Sequence, residues 1–175
     1  MTISYGHGIS TSPLHLAAGY AALLNGGTRV KPTLLRQHAR QLGERVVAEQ
    51  TSAAARDMLR QVVSRGTASF AEGPGYSVGG KTGTADKPKP RGGYYRDKVL
   101  ATFASAFPAQ APKYAVIVTL DEGRTKILGK ERRTAGWIAV PVAAELLRRT
   151  APLLGVRPEI EPAPSAGLQQ ARNNG

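Results

Sequence analysis

Val78-Gly79-Gly80-Lys81-Thr82-Gly83-Thr84-Ala85 carries the sharpest chemical signal in the chain, in a segment that reads as a β-strand from Tyr76 to Ala85. Two consecutive glycines weaken a strand by roughly 0.5–1 kcal/mol each relative to alanine, so their presence implies that another backbone approaches closely. The lysine and two threonine hydroxyls beside them offer a cation and two donors to a bound carboxylate. No Gly-x-x-x-x-Gly-Lys-Ser/Thr pattern occurs, which excludes a phosphate-binding loop. On the residues alone a plainer alternative stays open, in which Gly79 and Gly80 form a bulge, Lys81 points to solvent and the threonines are ordinary strand residues.

Working outward, residues 86–97 are polar, contain Pro88, Pro90 and Gly92-Gly93, and read as an exposed loop. Val99 to Phe107 and Tyr114 to Leu120 read as two strands of a long antiparallel hairpin joined by Pro108 to Lys113. On the N-terminal side, Ser12-Pro13 starts a helix, with Ser12 as N-cap. Leu14, Ala17, Ala18, Ala21 and Leu24 form its apolar face, and Asn25-Gly26-Gly27 stops it. Arg29 to Ala39 reads as a strand interrupted by Pro32, paired with Arg45 to Glu49 around Gly43-Glu44. Thr51 caps a second helix that buries Ala55, Met58, Leu59 and Val62 and ends at Gly66. Residues 67–77 read as loop. A last helix spans Trp137 to Thr150, with Pro141 in its first turn and Ile138, Val142, Leu146 and Leu153 toward the core. Helix, small hairpin, helix, three strands, helix is an α+β order with an antiparallel sheet and packed helices. Residues 1–155 form this domain, and the Pro-, Ala-, Gln- and Asn-rich residues 156–175 are expected to be a disordered tail.

The 175 residues suit one domain, and 41% apolar with 21% charged residues is ordinary globular composition. The absence of cysteine excludes a disulfide scaffold, a thiol nucleophile and a Cys-ligated metal. The apolar runs Ala115 to Leu120 and Ile138 to Leu147 are far shorter than the ~18 residues a membrane span needs, and no signal peptide is legible at the start. Net charge is +12, from 24 Lys and Arg against 12 Asp and Glu. The excess is spread along the chain. Arg124, Lys126, Lys130, Arg132 and Arg133, with Glu131 among them, form a local cluster that reads as a solvated loop. Aromatics are sparse at 6%, and no RNA-recognition or zinc-finger pattern is present, so no nucleic-acid partner is expected. His7, His15 and His38 lack partners at ligand spacing and read as structural, His7 being the first candidate of the three to line a site. No metal or cofactor is expected. Trp137 reads as a core anchor, and Glu44, Glu49 and Asp57 as solvated charges.

Lys81-Thr82-Gly83 is also the third signature motif of the serine penicillin-recognising enzymes, beside Ser-x-x-Lys and Ser-x-Asn. Ser4-Tyr5-Gly6-His7-Gly8-Ile9-Ser10, the Pro13–Leu24 helix with Asn25-Gly26-Gly27, Phe103-Ala104-Ser105-Ala106-Phe107-Pro108 and Ala139-Val140-Pro141-Val142 extend the likeness. Over residues 2–157 the chain resembles class B penicillin-binding proteins, in particular the division-specific peptidoglycan D,D-transpeptidases. The resemblance implies the penicillin-binding/β-lactamase-like transpeptidase fold. It implies that Lys81 supplies positive potential and holds a proton network beside the nucleophile, and that Thr82 and Thr84 bind the terminal carboxylate of a stem peptide or a β-lactam. It further implies that the Thr84 N–H completes an oxyanion hole and that Gly83 lets substrate lie along the strand.

No serine here has a lysine three residues on, and no Ser-x-Asn occurs. The resemblance therefore implies the C-terminal part of a transpeptidase domain, inactive alone, whose nucleophile lies in a preceding half. Its implied partners are peptidoglycan stem peptide and β-lactams through the complete domain, the missing N-terminal half, and other cell-division proteins. The implied location of the family is the extracytoplasmic face of the inner membrane. A serine β-lactamase-like fragment and a non-catalytic basic module binding an anionic polymer are the alternatives. A clipped domain would leave apolar faces including Leu23, Leu24 and Phe103 in water, so an aggregation-prone chain without a sharp melt is expected.

Overall fold

The structure is a computed structural model that describes Ile3, residues 8–39 and residues 43–159. The expectations for Ser4 to His7, and for the tail after Glu159, lie outside the described residues. The elements are α1 (Pro13–Leu24), α2 (Glu49–Ser64), a 3₁₀ turn (Ser69–Ala71), β1 (Gly79–Pro88), β2 (Tyr94–Phe107), β3 (Tyr114–Asp121), β4 (Thr125–Ile127), β5 (Lys130–Arg132) and α3 (Ala135–Thr150). β1, β2 and β3 form an antiparallel sheet in chain order, and β4 pairs with β5 separately. The α+β architecture with helices on an antiparallel sheet is thus the one expected.

Helix α1 begins as predicted. Ser12 Oγ accepts from the His15 N–H at 3.2 Å, and Pro13 fills the first helical position. Beyond Asn25 the chain passes through Gly26 and Gly27, both at positive φ. A Cβ on Gly27 would stand 2.1 Å from Val47 O, so only glycine fits there. Of the expected apolar face, Leu24 is buried and Ala17, Ala18 and Ala21 are half-buried, but Leu14 is exposed. Ala22, outside that face, is buried, and Tyr20 and Leu23 pack against the cluster of Leu24. The helix is covered mainly along its C-terminal half, and periodicity does not report how much of a face is covered.

Among the described residues, the expected hairpin over 29–49 is represented by the bridge of Thr28 with Arg45, beside an Arg29 N–H to Glu44 O bond of 2.8 Å. Pro32 has no N–H to give a ladder, and Leu34 and Leu35 stand exposed. α2 begins at Glu49, so Thr51 lies inside its first turn and is not its cap. Its buried positions are Ser52, Ala55 and Val63, with Leu59 and Val62 half-buried; Met58 is exposed. Ser52 is fully buried because it is polar with partners. Its Oγ accepts from the Gly26 N–H and from Arg56 Nη1, both at 3.0 Å. That joins the start of α2 to the end of α1.

The expected loop over 86–97 shrinks to an exposed turn at 89–93, and the residues on either side are strand. β1 runs on to Pro88 and β2 starts at Tyr94, with a register shift between Asp86 and Pro88. The proline falls where the ladder is already interrupted, which is how a strand tolerates it. The basic cluster is likewise ordered: Leu128-Gly129, at φ 50° and 75°, turns β4 into β5. Two residues with positive φ are the type I′ turn that matches strand twist.

α3 starts at Ala135, so Pro141 is its seventh residue and lies in the second turn, on the solvent side. Its buried face is Ala135, Ile138, Ala139, Val140, Ala143 and Leu147; Val142, Leu146 and Leu153 are exposed. Alanines allow the helix to lie close on the sheet, and a reading that weights large side chains picks the wrong stripe. Odd-numbered Ala101, Phe103 and Phe107 of β2 meet α3, Val63 and Val78 in one core cluster, while Ala106 meets Leu24 and Ala55 on the opposite face. Leu24 and Phe103 are therefore inside, not in water as expected, and Leu23 is partly covered. Ile9, Leu14, Leu34, Leu35 and Leu128 are among the large apolar side chains that stand exposed instead. Packing continues past residue 155: Val156 is buried and the Glu159 N–H donates to Gly75 O at 2.7 Å. No helix among the described residues is long and apolar enough to cross a membrane.

Candidate functional site

Lys81, Thr82, Gly83 and Thr84 lie consecutively on β1, opposite Ala104, Phe103, Thr102 and Ala101 of β2. Among the described residues β1 pairs on one side only, so its other edge is free. Alternation sends Gly80, Thr82 and Thr84 toward α3, and Lys81, Gly83 and Ala85 to the other face. Gly80 is the close-approach glycine: a Cβ there would stand 2.6 Å from Phe103 Cζ and 2.8 Å from Ala104 O. Gly83 differs, because a Cβ would meet nothing nearer than Thr102 O at 4.0 Å. Nothing within the described chain requires a glycine at 83.

The Lys81 side chain is exposed, and its Nζ donates to Thr82 O at 2.8 Å. No carboxylate of the described residues pairs with it. The Thr82 hydroxyl is 2.8 Å from Thr67 Oγ1. Thr84 Oγ1 accepts the Ala135 N–H at 3.0 Å, at the very start of α3. Thr134, the N-cap residue, makes no side-chain cap bond, so a threonine of the sheet takes that task. α3 also presses on Thr67, since a Cβ on Gly136 would lie 2.7 Å from Thr67 O. Both threonine hydroxyls are thus fixed by partners around one helix N-terminus, and each keeps capacity for a further bond.

Thr67 was not legible as a site residue. It lies fifteen positions before Thr82, in a loop, and only the packing of α3 brings it in. A groove of about 670 Å³ borders the strand, lined among others by Ile9, Ser12, Gly83, Ala85, Leu100 and Thr102. His15 Nδ1 is 2.9 Å from Ser12 Oγ, within the α1 cap, and His38 is exposed. Among the described residues no group of three His, Asp or Glu side chains stands close enough to hold a metal. Along this edge of β1 stand one cation, two hydroxyls fixed by hydrogen bonds, an open Gly83 and backbone that no strand of the described residues pairs with.

The family model for the penicillin binding protein transpeptidase domain matches residues 1–148. The chain belongs to that family. A Caulobacter vibrioides protein named "probable peptidoglycan D,D-transpeptidase FtsI" is 38% identical over 94% of this transpeptidase-family chain and 31% of its own length. The transpeptidase domain of Burkholderia pseudomallei penicillin-binding protein 3 superposes with a TM-score of 0.79 at 36% identity, covering 91% of this chain and 47% of that one. Penicillin-binding protein 3 of Mycobacterium tuberculosis, complexed with ampicillin, gives 0.74 at 30% identity over 91% and 38%. The chain thus spans less than half of each of these three proteins.

Proposed function

We propose that this chain forms the recognition edge of a peptidoglycan D,D-transpeptidase, and that a segment bearing Ser-x-x-Lys and Ser-x-Asn completes the site. The complete enzyme would work at the extracytoplasmic face of the inner membrane. The observation that carries this reading is the free edge of β1 with Lys81, Thr82, Gly83 and Thr84 in a row. Lys81 Nζ binds Thr82 O, which suits a carbonyl on the unpaired side. By the two-residue period of a strand, the Thr84 N–H then faces the same side.

In this reading an extended stem peptide, or a β-lactam, lies along that edge. Its carboxylate accepts from the Thr82 and Thr84 hydroxyls while Lys81 supplies positive potential. Thr84 Oγ1 already accepts from Ala135, which leaves its own proton to donate outward. The serine of the completing segment attacks the carbonyl and forms an ester as the C–N bond breaks: the terminal amino acid of the stem peptide leaves as its amine, carrying the serine's proton, whereas in a β-lactam the ring opens and the amine stays attached. The Thr84 N–H holds the developing oxyanion, and an amine from a neighbouring strand of wall then takes the acyl group. Other cell-division proteins are the expected companions of the full-length protein.

The test is acylation by a fluorescent penicillin, comparing this chain alone with the complete domain that contains it. The chain alone is expected to stay unlabelled. In the complete domain, Thr82→Val with Thr84→Val is expected to slow labelling at least about tenfold, the loss of charge-assisted bonds of roughly 1.5–3 kcal/mol. Labelling at an unchanged rate in that double variant would overturn the assignment.

A further inference from the structure

The β4–β5 hairpin carries a residue that its own fold does not explain. Leu128 sits at φ 50°, a backbone region where glycine, asparagine and aspartate are at ease and a γ-branched side chain is not. It is also 97% exposed. A type I′ turn of this length ordinarily takes Asn-Gly or Asp-Gly. Leucine is therefore unfavourable here twice over, in backbone conformation and in hydration. No contact in the described chain offsets either cost, and observed strain of this kind marks a surface used by something else.

The flanks of Leu128 say what that is. Lys126 and Lys130 are exposed, and among the described residues neither has a carboxylate within salt-bridge distance. Glu131, the acid opposite Lys126, is held by Arg124 at 3.1 Å. The hairpin is also firmly placed. Arg124 Nη2 donates to Asp97 O at 3.3 Å and Arg133 Nη1 to Arg96 O at 2.9 Å, tying it to β2. Arg132 lies over the Trp137 ring, 5.0 Å from its centre. A fixed apolar tip between two free ammonium groups is complementary to an apolar surface ringed by carboxylates.

We infer that the Leu128 tip is a docking point for an acidic polypeptide segment bearing apolar side chains. A single leucine is too little apolar area to hold a lipid surface. A nucleic-acid backbone has no use for an apolar tip, and the neighbouring Tyr95 ring is already occupied by Lys89 and Lys98, at 5.7 and 5.2 Å from its centre. A side chain that fills a partner's pocket and is desolvated there, with the contacts around it excluding water, can by contrast anchor a protein–protein contact.

The whole chain should be titrated with a short synthetic peptide alternating glutamate pairs with leucines, beside its glutamine counterpart. Saturable binding of the glutamate peptide is expected, falling about tenfold in Lys126→Gln with Lys130→Gln. A comparable fall is expected in Leu128→Asn, whose backbone preference suits the turn, so its melting temperature should hold or rise. Peptide binding indifferent to Leu128→Asn would overturn the inference. So would equal dependence on Leu128 in binding to phosphatidylglycerol-containing vesicles or to a DNA duplex.

Discussion

Thr84 of the sheet caps the helix that packs on it: the Ala135 N–H donates to Thr84 Oγ1 at 3.0 Å, across a sequence distance of fifty-one residues. One hydroxyl thus serves a helix terminus with no cap from its own N-cap residue and stands in the candidate recognition row.

Thr84→Val should therefore destabilise the chain in the absence of any ligand. Loss of a capping oxygen costs about 1 kcal/mol, and Thr84→Ser should recover most of it. Urea denaturation followed by circular dichroism reads both. Equal stability of Thr84→Val and the parent would show that the capping bond contributes nothing.

The two glycines of β1 should respond in opposite ways. Gly80→Ala drives a methyl into the Phe103 ring and the Ala104 carbonyl, and such overpacking costs about 1–3 kcal/mol. Gly83→Ala meets open space and should leave the melting temperature unchanged or slightly raised, since alanine lowers the entropy of the unfolded chain. In the complete domain Gly83→Ala should nevertheless slow penicillin labelling. A Gly83→Ala protein as destabilised as Gly80→Ala would contradict the geometry.

Ser52→Ala should cost about 1–3 kcal/mol, because the buried Gly26 N–H and Arg56 lose their shared acceptor. Amide exchange at Gly26 should accelerate selectively. Stability equal to that of the parent, with exchange unaltered, would show that water replaces the hydroxyl without loss.

The Lys87 cluster with Asp121 and Glu122, and the Arg60–Glu72 pair, should bound stability at opposite ends of the pH scale. The Lys87 ammonium, bonded to Asp121 and Glu122 at 2.8 Å each, is pushed up from the ordinary 10.5 to about 12. A raised base contributes in full below its unfolded value, and that contribution fades between 10.5 and about 12. The Arg60 guanidinium, through its hydrogen bonds, holds the Glu72 carboxyl below its usual range. A depressed acid contributes above its unfolded value and loses that contribution as pH falls through its folded one. Lys87→Met should flatten the alkaline limb of a melting-temperature profile, and Glu72→Gln the acid limb. Limbs unchanged in both would remove these pairs from the account. Both pairs are solvent-accessible, so added salt should shrink each effect.

How far the sequence could be read depended on whether a signal was local. Ser12-Pro13 and Asn25-Gly26-Gly27 bracket α1 by backbone chemistry alone, and the α+β order and strands 99–107 and 114–120 follow from nearby residues. The Lys81-Thr82-Gly83-Thr84 row was visible for the same reason. Burial is not local. Val142 and Leu146 have the apolarity of core residues, yet Ala139 and Ala143 face the sheet, because close helix–sheet approach rewards small side chains. The hairpin across 88–94 was hidden by Pro88 and Gly92-Gly93, which signal a break equally well in a loop or in a turn between strands. Thr67 carries no signal at all until α3 is docked.

The free edge of β1 has a consequence for the chain's behaviour toward its own copies. A strand with unpaired N–H and C=O groups invites any extended segment, including the same strand from another molecule. Lys81, which no carboxylate of the described residues pairs with, makes that encounter one of like charges, and under the proposed function the same ammonium draws in a ligand bearing a carboxylate. On the proposed function a single ammonium group would thereby sort arrivals by sign, favouring an anionic peptide at the edge over a second copy of the strand. Neutralising Lys81 would open the edge to self-pairing as it weakened the claim of the proper ligand.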